Sequence, residues 1–276
     1  MDLFQIARDN GEAFSQRYEE LRSAVDTAAL PHLDRFAEMV LRDGRLSINL
    51  KPTDLRVFLL PGGGYYNVYE RAEYIEGRSG RPREEMVRGM ENDYYNRRMA
   101  FDLLLDRSEQ LHYAAFNLGG LGVTLFGDYC LVFQDAFAAG LAELAYLRGN
   151  SLETYLLPGC VVDEAALRRD ACPHSHRHCQ AALKHGEKAV GLAEESWPAL
   201  VCSRSDFIEA IFLGEPTPGD LQAVRMEQDV FDLYPLLVVD AALGRLSDFD
   251  RHFVDDFDTI LRLLEHHSIP PEPMAS

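Results

Sequence analysis

Ser203-Arg204-Ser205-Asp206-Phe207-Ile208-Glu209-Ala210-Ile211-Phe212-Leu213-Gly214 places one carboxylate, Glu209, at the mouth of a run that otherwise reads as a buried strand. Ala210 to Leu213 supply apolar, β-branched and aromatic side chains, and Gly214, Pro216 and Pro218 stop the run. A carboxylate in that position either caps a solvent-facing strand edge or does chemistry.

Outward from this stretch the pattern alternates between strand and helix. Leu46-Ser47-Ile48-Asn49-Leu50 has period two and is closed by Lys51-Pro52, which predicts a half-buried strand. Further strands are predicted over Val57 to Leu60, His112 to Leu118, Tyr129 to Phe133, a short piece at 153–157, and an edge strand at Ala223 to Met226. Two helices are expected within residues 2–42, the second opened by Pro31 and ended by Gly44. A long or broken helix is expected over Pro82 to Leu105, an apolar helix over 135–148, and helices over Val230 to Leu243 and Phe249 to Leu264. The Pro270-Pro271-Glu272-Pro273 tail reads as irregular.

The expected fold class is α+β. The predicted division is an N-terminal helical segment at 1–44, a core at 45–228 carrying a polar insertion at about 163–192, and C-terminal helices and tail at 229–276. With 27 Lys plus Arg against 45 Asp plus Glu, the formal charge of −18 repels phosphate backbones and anionic membranes, so neither nucleic acid nor membrane is expected as a partner. No apolar run reaches the roughly 18 residues of a membrane span, and the first residues lack the basic and apolar regions of a secretory signal. Five cysteines point to free thiols in a reducing compartment.

Three constellations bear on chemistry. Cys172, His174, His176, His178 and Cys179 crowd five metal-ligand types together, which raises a metal-dependent hydrolase, but no second ligand pair matches them and no metal is expected. A nucleophilic cysteine is a second enzyme reading; Cys130 and Cys202 sit in apolar runs that suit inert buried thiols, and Cys160 is the third candidate. The third is Pro61-Gly62-Gly63-Gly64-Tyr65-Tyr66-Asn67, where three glycines allow close backbone approach and Tyr66 and Asn67 suit stacking and edge recognition of a planar heterocycle. Arg56, Arg71 and Arg78 lie near enough in sequence to bind a pyrophosphate.

Four segments taken in order carry a resemblance: Leu46 to Pro52; Tyr66-Asn67-Val68-Tyr69-Glu70; His112 to Leu118 followed by Leu125-Phe126-Gly127-Asp128-Tyr129-Cys130-Leu131-Val132-Phe133; and Asp206 to Gly214. Together they resemble a bacterial family of the ADP-ribosyltransferase superfamily, over roughly residues 45–215. The chain departs from the family pattern at Lys51, at Val68-Tyr69-Glu70-Arg71 and at Asp128.

The resemblance implies a split β-sheet core, NAD as the ADP-ribose donor and Glu209 as the catalytic carboxylate. It further implies Tyr66, Asn67, Glu70, Arg71, Asn117, Phe126 and Tyr129 as residues around the dinucleotide, with Phe126 or Tyr129 against the nicotinamide. Arginine-modifying members carry Glu or Gln two residues before the catalytic Glu; Phe207 occupies that place here, which implies a hydroxyl acceptor. Similar members are effectors that modify a threonine of host ubiquitin after leaving the bacterial cytoplasm through a dedicated secretion system. An NAD glycohydrolase and a non-enzymatic adaptor on the same scaffold are the remaining alternatives.

Overall fold

The computed structural model describes residues 1–274, apart from the side chains of Arg78, Ser79 and Asp93. The N-terminal region is three helices, α1 (Leu3–Asp9), α2 (Gly11–Ala24) and α3 (Leu30–Asp43), where two were expected. The extra break falls at Asn10, whose side-chain amide donates to the carbonyls of Arg168 and Ala171 at 2.6 and 2.8 Å. In α3, Pro31 occupies the first turn and Leu33, Phe36, Ala37 and Val40 form the buried stripe.

β1 (Arg45–Leu50) follows as expected, but the strand predicted over Val57 to Leu60 is instead part of α4 (Pro52–Leu59). Leu55, Phe58 and Leu59 are its buried residues, and their spacing is helical; four apolar residues in a row had hidden it. The Gly62 to Gly64 turn leads into α5 (Val68–Ser79), a helix that was not expected; α6 (Arg83–Glu91) and α7 (Tyr95–Asp102) are the broken helix expected over Pro82 to Leu105. β2 (His112–Asn117) and β3 (Tyr129–Phe133) come next.

The apolar segment 135–148 is not one helix. It divides at Gly140 into α8 (Asp135–Gly140) and β4 (Leu144–Leu147), all four of whose residues are buried. A fully buried strand and a buried helix have the same apolar run in sequence. The piece at 153–157 is α9 (Ser151–Thr154) followed by β5 (Leu156–Leu157), which forms a small hairpin with β6 (Val161–Val162). α10 (Glu164–Asp170), β7 (Cys172–Pro173), α11 (Arg177–Ala189) and α12 (Trp197–Val201) lead to β8 (Ile208–Phe212). β9 (Leu221–Glu227), α13 (Gln228–Ala242), α14 (Asp248–His266) and β10 (Pro271–Met274) complete the chain.

Eight strands form one sheet in the order β10-β9-β3-β1-β2-β8-β4-β7, antiparallel except for the β10–β9 pair. β9, expected at an edge, is covered by β10, the segment expected to be an irregular tail. Prolines are tolerated there because an outermost strand has a side with no partner to serve, and Arg225 ties the pair together through Glu272 at 2.8 Å. β8 lies inside the sheet between β2 and β4, so the solvent-facing edge reading of Glu209 is overturned.

One face of the sheet is the main core. Leu46, Ile48 and Leu50 of β1, Ala114 and Phe116 of β2, and Ile208, Ala210 and Phe212 of β8 pack there with Phe36 and Val40 of α3, Trp197 of α12, and Phe257, Ile260 and Leu264 of α14. The segment 163–192, expected as a polar insertion, is built into this core through Cys172, Cys179, Ala181 and Ala189. On the opposite face a second cluster joins α1, α7, α9 and α10 to Ala145, Leu147 and Ile211. The β2–β3 loop closes the rest of that face through Asn49, which donates to the carbonyls of Leu121 and Gly127, both at 3.0 Å, and accepts from the Val123 N–H at 2.8 Å. Gly122 beneath it has φ +71°, and a Cβ there would lie 2.2 Å from the Asn49 amide oxygen. Among the described residues no helix is long and apolar enough to cross a membrane.

Asn49→Ala removes all three loop contacts and leaves buried polar backbone unpaired. It is expected to lower the free energy of unfolding by about 3 kcal/mol in urea titrations; a loss below about 1 kcal/mol would show that the loop is held by other means.

Candidate functional site

Residues that face each other across antiparallel strands share a face of the sheet. Ser47 of β1 is paired with Ala115 of β2, Ala115 with Glu209 of β8, and Glu209 with Leu147 of β4. Glu209 therefore points away from the main core, into a row with Ser47, Ala115 and Leu147. It is only 7% exposed, and its Oε2 accepts the Ser151 backbone N–H at 2.9 Å. Burial pushes its carboxyl up to about 7, against the pull of the contact with Ser151 and of the Arg98 charge.

Along β8 the surroundings differ on the two sides of this carboxyl. Upstream, Phe207 is buried with Ala115, Val123 and Cys202, and the exposed Phe126 ring meets it edge-on at 6.4 Å. The strand entrance is pinned by Lys184, whose ammonium donates to the Phe207 carbonyl at 2.7 Å and pairs with Asp206 at 2.6 Å. Downstream lies a charged cluster. The Arg98 guanidinium stands over the Tyr113 ring at 4.4 Å and sits 3.7 Å from Glu91 and 3.8 Å from Asp102, without a hydrogen bond from its Nε or Nη1. Asp102 accepts from the Tyr113 hydroxyl at 3.3 Å and from the Tyr69 hydroxyl, and burial pushes its carboxyl up. The Ser151 hydroxyl lies beside the Glu209 carboxyl and the Ser47 hydroxyl beside the Cys130 thiol, and both are buried.

The expected site residues separate into three groups. Asn117 and Phe126 belong to the Glu209 side of the sheet, Asn117 through its register two residues from Ala115 and Phe126 through its contact with Phe207. Asn117 is engaged within the fold, exchanging hydrogen bonds with Gly120 at 2.8 and 2.9 Å. Tyr129 pairs with Leu50 in the main core, on the opposite face from Glu209. It cannot pack a ring held at Glu209, and that expectation is corrected.

Tyr66, Asn67, Glu70 and Arg71 form the start of α5. Asn67 is its N-cap: the side-chain oxygen accepts the Tyr69 and Glu70 N–H groups, the amide donates to the Glu109 and Leu111 carbonyls, and Glu70 returns a bond to the Asn67 N–H. Its polar atoms are used inside the fold, so its expected contact with a dinucleotide is likewise corrected. Glu70 also meets His112 Nε2 at 3.1 Å, Arg71 pairs with Asp54 at 2.9 Å, and Tyr66 stacks on Tyr74 at the surface. This segment reaches the charged cluster through the Tyr69 hydroxyl, which donates to Asp102. Arg56 pairs with Asp256, and the Arg78 side chain lies outside the described residues.

Arg98, Asp102, Tyr113 and Ser151 escaped the sequence reading. Arg98 and Asp102 are four residues apart on one helix face, a spacing that usually marks a surface ion pair. Nothing in the sequence brings α7 or α9 to Glu209.

The cysteine and histidine cluster is dispersed. His174 bonds the Tyr146 hydroxyl at 2.9 Å, His176 faces Ser15 at 3.1 Å, and Cys172 lies against the Pro173 and His176 carbonyls. Burial lowers His174 and His178 to about 4. Among the described residues no group of three or more His, Cys, Asp or Glu is arranged to hold a metal ion. Cys130 is buried, with its thiol pushed up to about 11 by desolvation, and Cys202 is raised too, as expected for inert core thiols. Comparisons of the chain with protein-family models, with curated proteins and with solved structures find no match.

Because the folded-state value of Glu209, about 7, lies above its ordinary 4.5, this group favours the native state least once both states are ionised. The contribution of Glu209 to native stability falls as pH rises from about 4.5 through 7. Glu209→Gln removes that loss. The variant is expected to gain on the parent protein by about 3 kcal/mol between pH 4.5 and pH 8 in denaturant titrations; parallel pH curves for the two proteins would show that the carboxyl is not held out of water.

Proposed function

We propose that the chain is a mono-ADP-ribosyltransferase that moves ADP-ribose from NAD to a hydroxyl of a protein, with Glu209 as the catalytic carboxylate. The observation that carries this reading is the convergence of the strands that bear the resemblance. They are neighbours, β3-β1-β2-β8, and Glu209 leaves them on the face away from the main core. The fit to a sugar-bearing substrate rests on the buried polar groups gathered on that side, the Ser47 and Ser151 hydroxyls and the Arg98 guanidinium with its two carboxylate neighbours.

In this reaction the bond from ribose C1′ to the nicotinamide nitrogen breaks, its electron pair leaving with nicotinamide. A new bond forms from C1′ to the acceptor oxygen, whose proton passes to a base. The transition state is oxocarbenium-like, so an ionised Glu209 stabilises charge that is greater there than in the ground state. The same carboxylate holds the ribose 2′-hydroxyl and takes the acceptor proton. Phe207 and its apolar neighbours keep water from the ribose.

Phe207 also bears on the acceptor. Buried among Ala115, Val123 and Cys202, this position offers no carboxylate or amide to orient a guanidinium, which favours a hydroxyl acceptor. Our specific proposal is threonine on ubiquitin in a host cell, reached through a dedicated secretion system. A charge of −18 suits a basic protein surface.

Incubation with NAD labelled in its adenosine half and a eukaryotic lysate is expected to label one protein band, with the label lost at least 100-fold in Glu209→Gln. Because the ionised carboxyl is the active form, transfer should rise with pH through about 7 and level off above it. Free labelled ADP-ribose without a band would assign a glycohydrolase. Neither product, or full activity in Glu209→Gln, would overturn the proposal.

A further inference from the structure

α13 is an apolar helix that the fold leaves half uncovered. Its inner side, Val230, Phe231 and Tyr234, packs on the core, with the Tyr234 ring 4.8 Å from Phe257 and its hydroxyl donating to Asp258 at 3.2 Å. No residue of this 15-residue helix is buried outright. Along the outer side Leu236, Val239 and Leu243 stand 64%, 58% and 55% exposed, spaced three and four apart so that they form one stripe, with Leu233 beside it. Across the turn that follows, Phe249 in the first turn of α14 is 81% exposed. Large apolar side chains grouped in this way mark an interaction surface rather than ordinary scatter.

The charges on the helix itself have one sign, and Arg245, Arg251 and His252 lie beyond its C-terminal end, so the acidic side of the stripe is toward the N-terminus. Residues 226–244 contain Glu227, Asp229, Asp232 and Asp240 and no Lys, Arg or His. Asp229 and Asp232 continue the line of the stripe toward the helix N-terminus, separated from Leu236 by helical steps of three and four. A second copy of the chain is opposed by the repulsion between two bodies of formal charge −18 each. An anionic membrane surface is disfavoured for the same reason.

We propose that the outer face of α13 docks a protein partner that presents an apolar strip flanked by lysine or arginine, the apolar part seating on Leu236, Val239 and Leu243 and the basic part on Asp229 and Asp232. α13 packs against β9, β10 and α14 at the far end of the sheet from the β8–β4 pair, so this surface is separate from Glu209 and does not depend on what Glu209 does.

The test uses the full chain and two labelled synthetic amphipathic helices, one of leucine and lysine and one of leucine and glutamate, with fluorescence anisotropy as the readout. The leucine–lysine helix is expected to bind, more weakly as salt rises, and the leucine–glutamate helix to fail. Leu236→Asp combined with Val239→Asp, checked for an unchanged circular dichroism spectrum, is expected to weaken binding at least tenfold although it adds negative charge. Equal or tighter binding by the double variant would show that charge alone attracts the peptide and would overturn the proposal. So would no binding by the parent chain, or sedimentation showing a parent dimer that the double variant dissolves.

Discussion

The register between β2 and β8 is the constraint on which the rest of the molecule depends. With Ala114 opposite Ala210 and Phe116 opposite Ile208, the large apolar side chains of both strands turn to one face and meet α3, α12 and α14 there. A shift of β8 by one residue would carry Ile208 and Phe212 out of the core and drive Glu209 into it. Burial of the apolar set therefore holds Glu209 on the other face, and β1 and β4 inherit the same alternation through Ser47 and Leu147.

What that other face contains follows from covering an interior strand on both sides. α1, α7, α9 and α10 bury Ala145, Leu147 and Ile211, and in doing so carry Arg98 and Ser151 to the side of the sheet where Glu209 stands. The carboxyl loses water and keeps the Ser151 hydroxyl, the Ser151 backbone N–H and a nearby guanidinium, too little to hold it in the ordinary carboxylate range. A carboxyl pushed up to about 7 by burial is costly for stability, and such cost is common where chemistry is done. Asp102 is raised by the same desolvation.

Much of the fold was legible where a single rule decides. The alternation of Leu46 to Leu50, the strands at 112 and 129, the helix opened by Pro31 and the two C-terminal helices are all present. The failures fall where two structures share one pattern. Val57 to Leu60 and Leu144 to Leu147 are both short apolar runs; one became a helix and the other a strand, because β4 has partners on both sides and α4 packs against α14 instead. Pro271 to Met274 pairs as a strand because β9 offered an open edge, which no local property of the prolines reveals.

The candidate site divides along the same line. Glu209 as a carboxylate beside a buried strand, and Phe207 two residues before it, were fixed by covalent order and by the two-residue repeat of a strand. Asn67 and Tyr129 had the right residue types for a ligand, yet the first is consumed by the N-cap of α5 and the second faces the core. Arg98 and Asp102 come from α7, Tyr113 from β2 and Ser151 from α9, and only long-range packing brings the three elements to one side of the sheet. Periodicity determines which face a side chain takes within its own element; which elements meet is decided by how the whole chain buries its apolar surface, and that is settled only in the folded molecule.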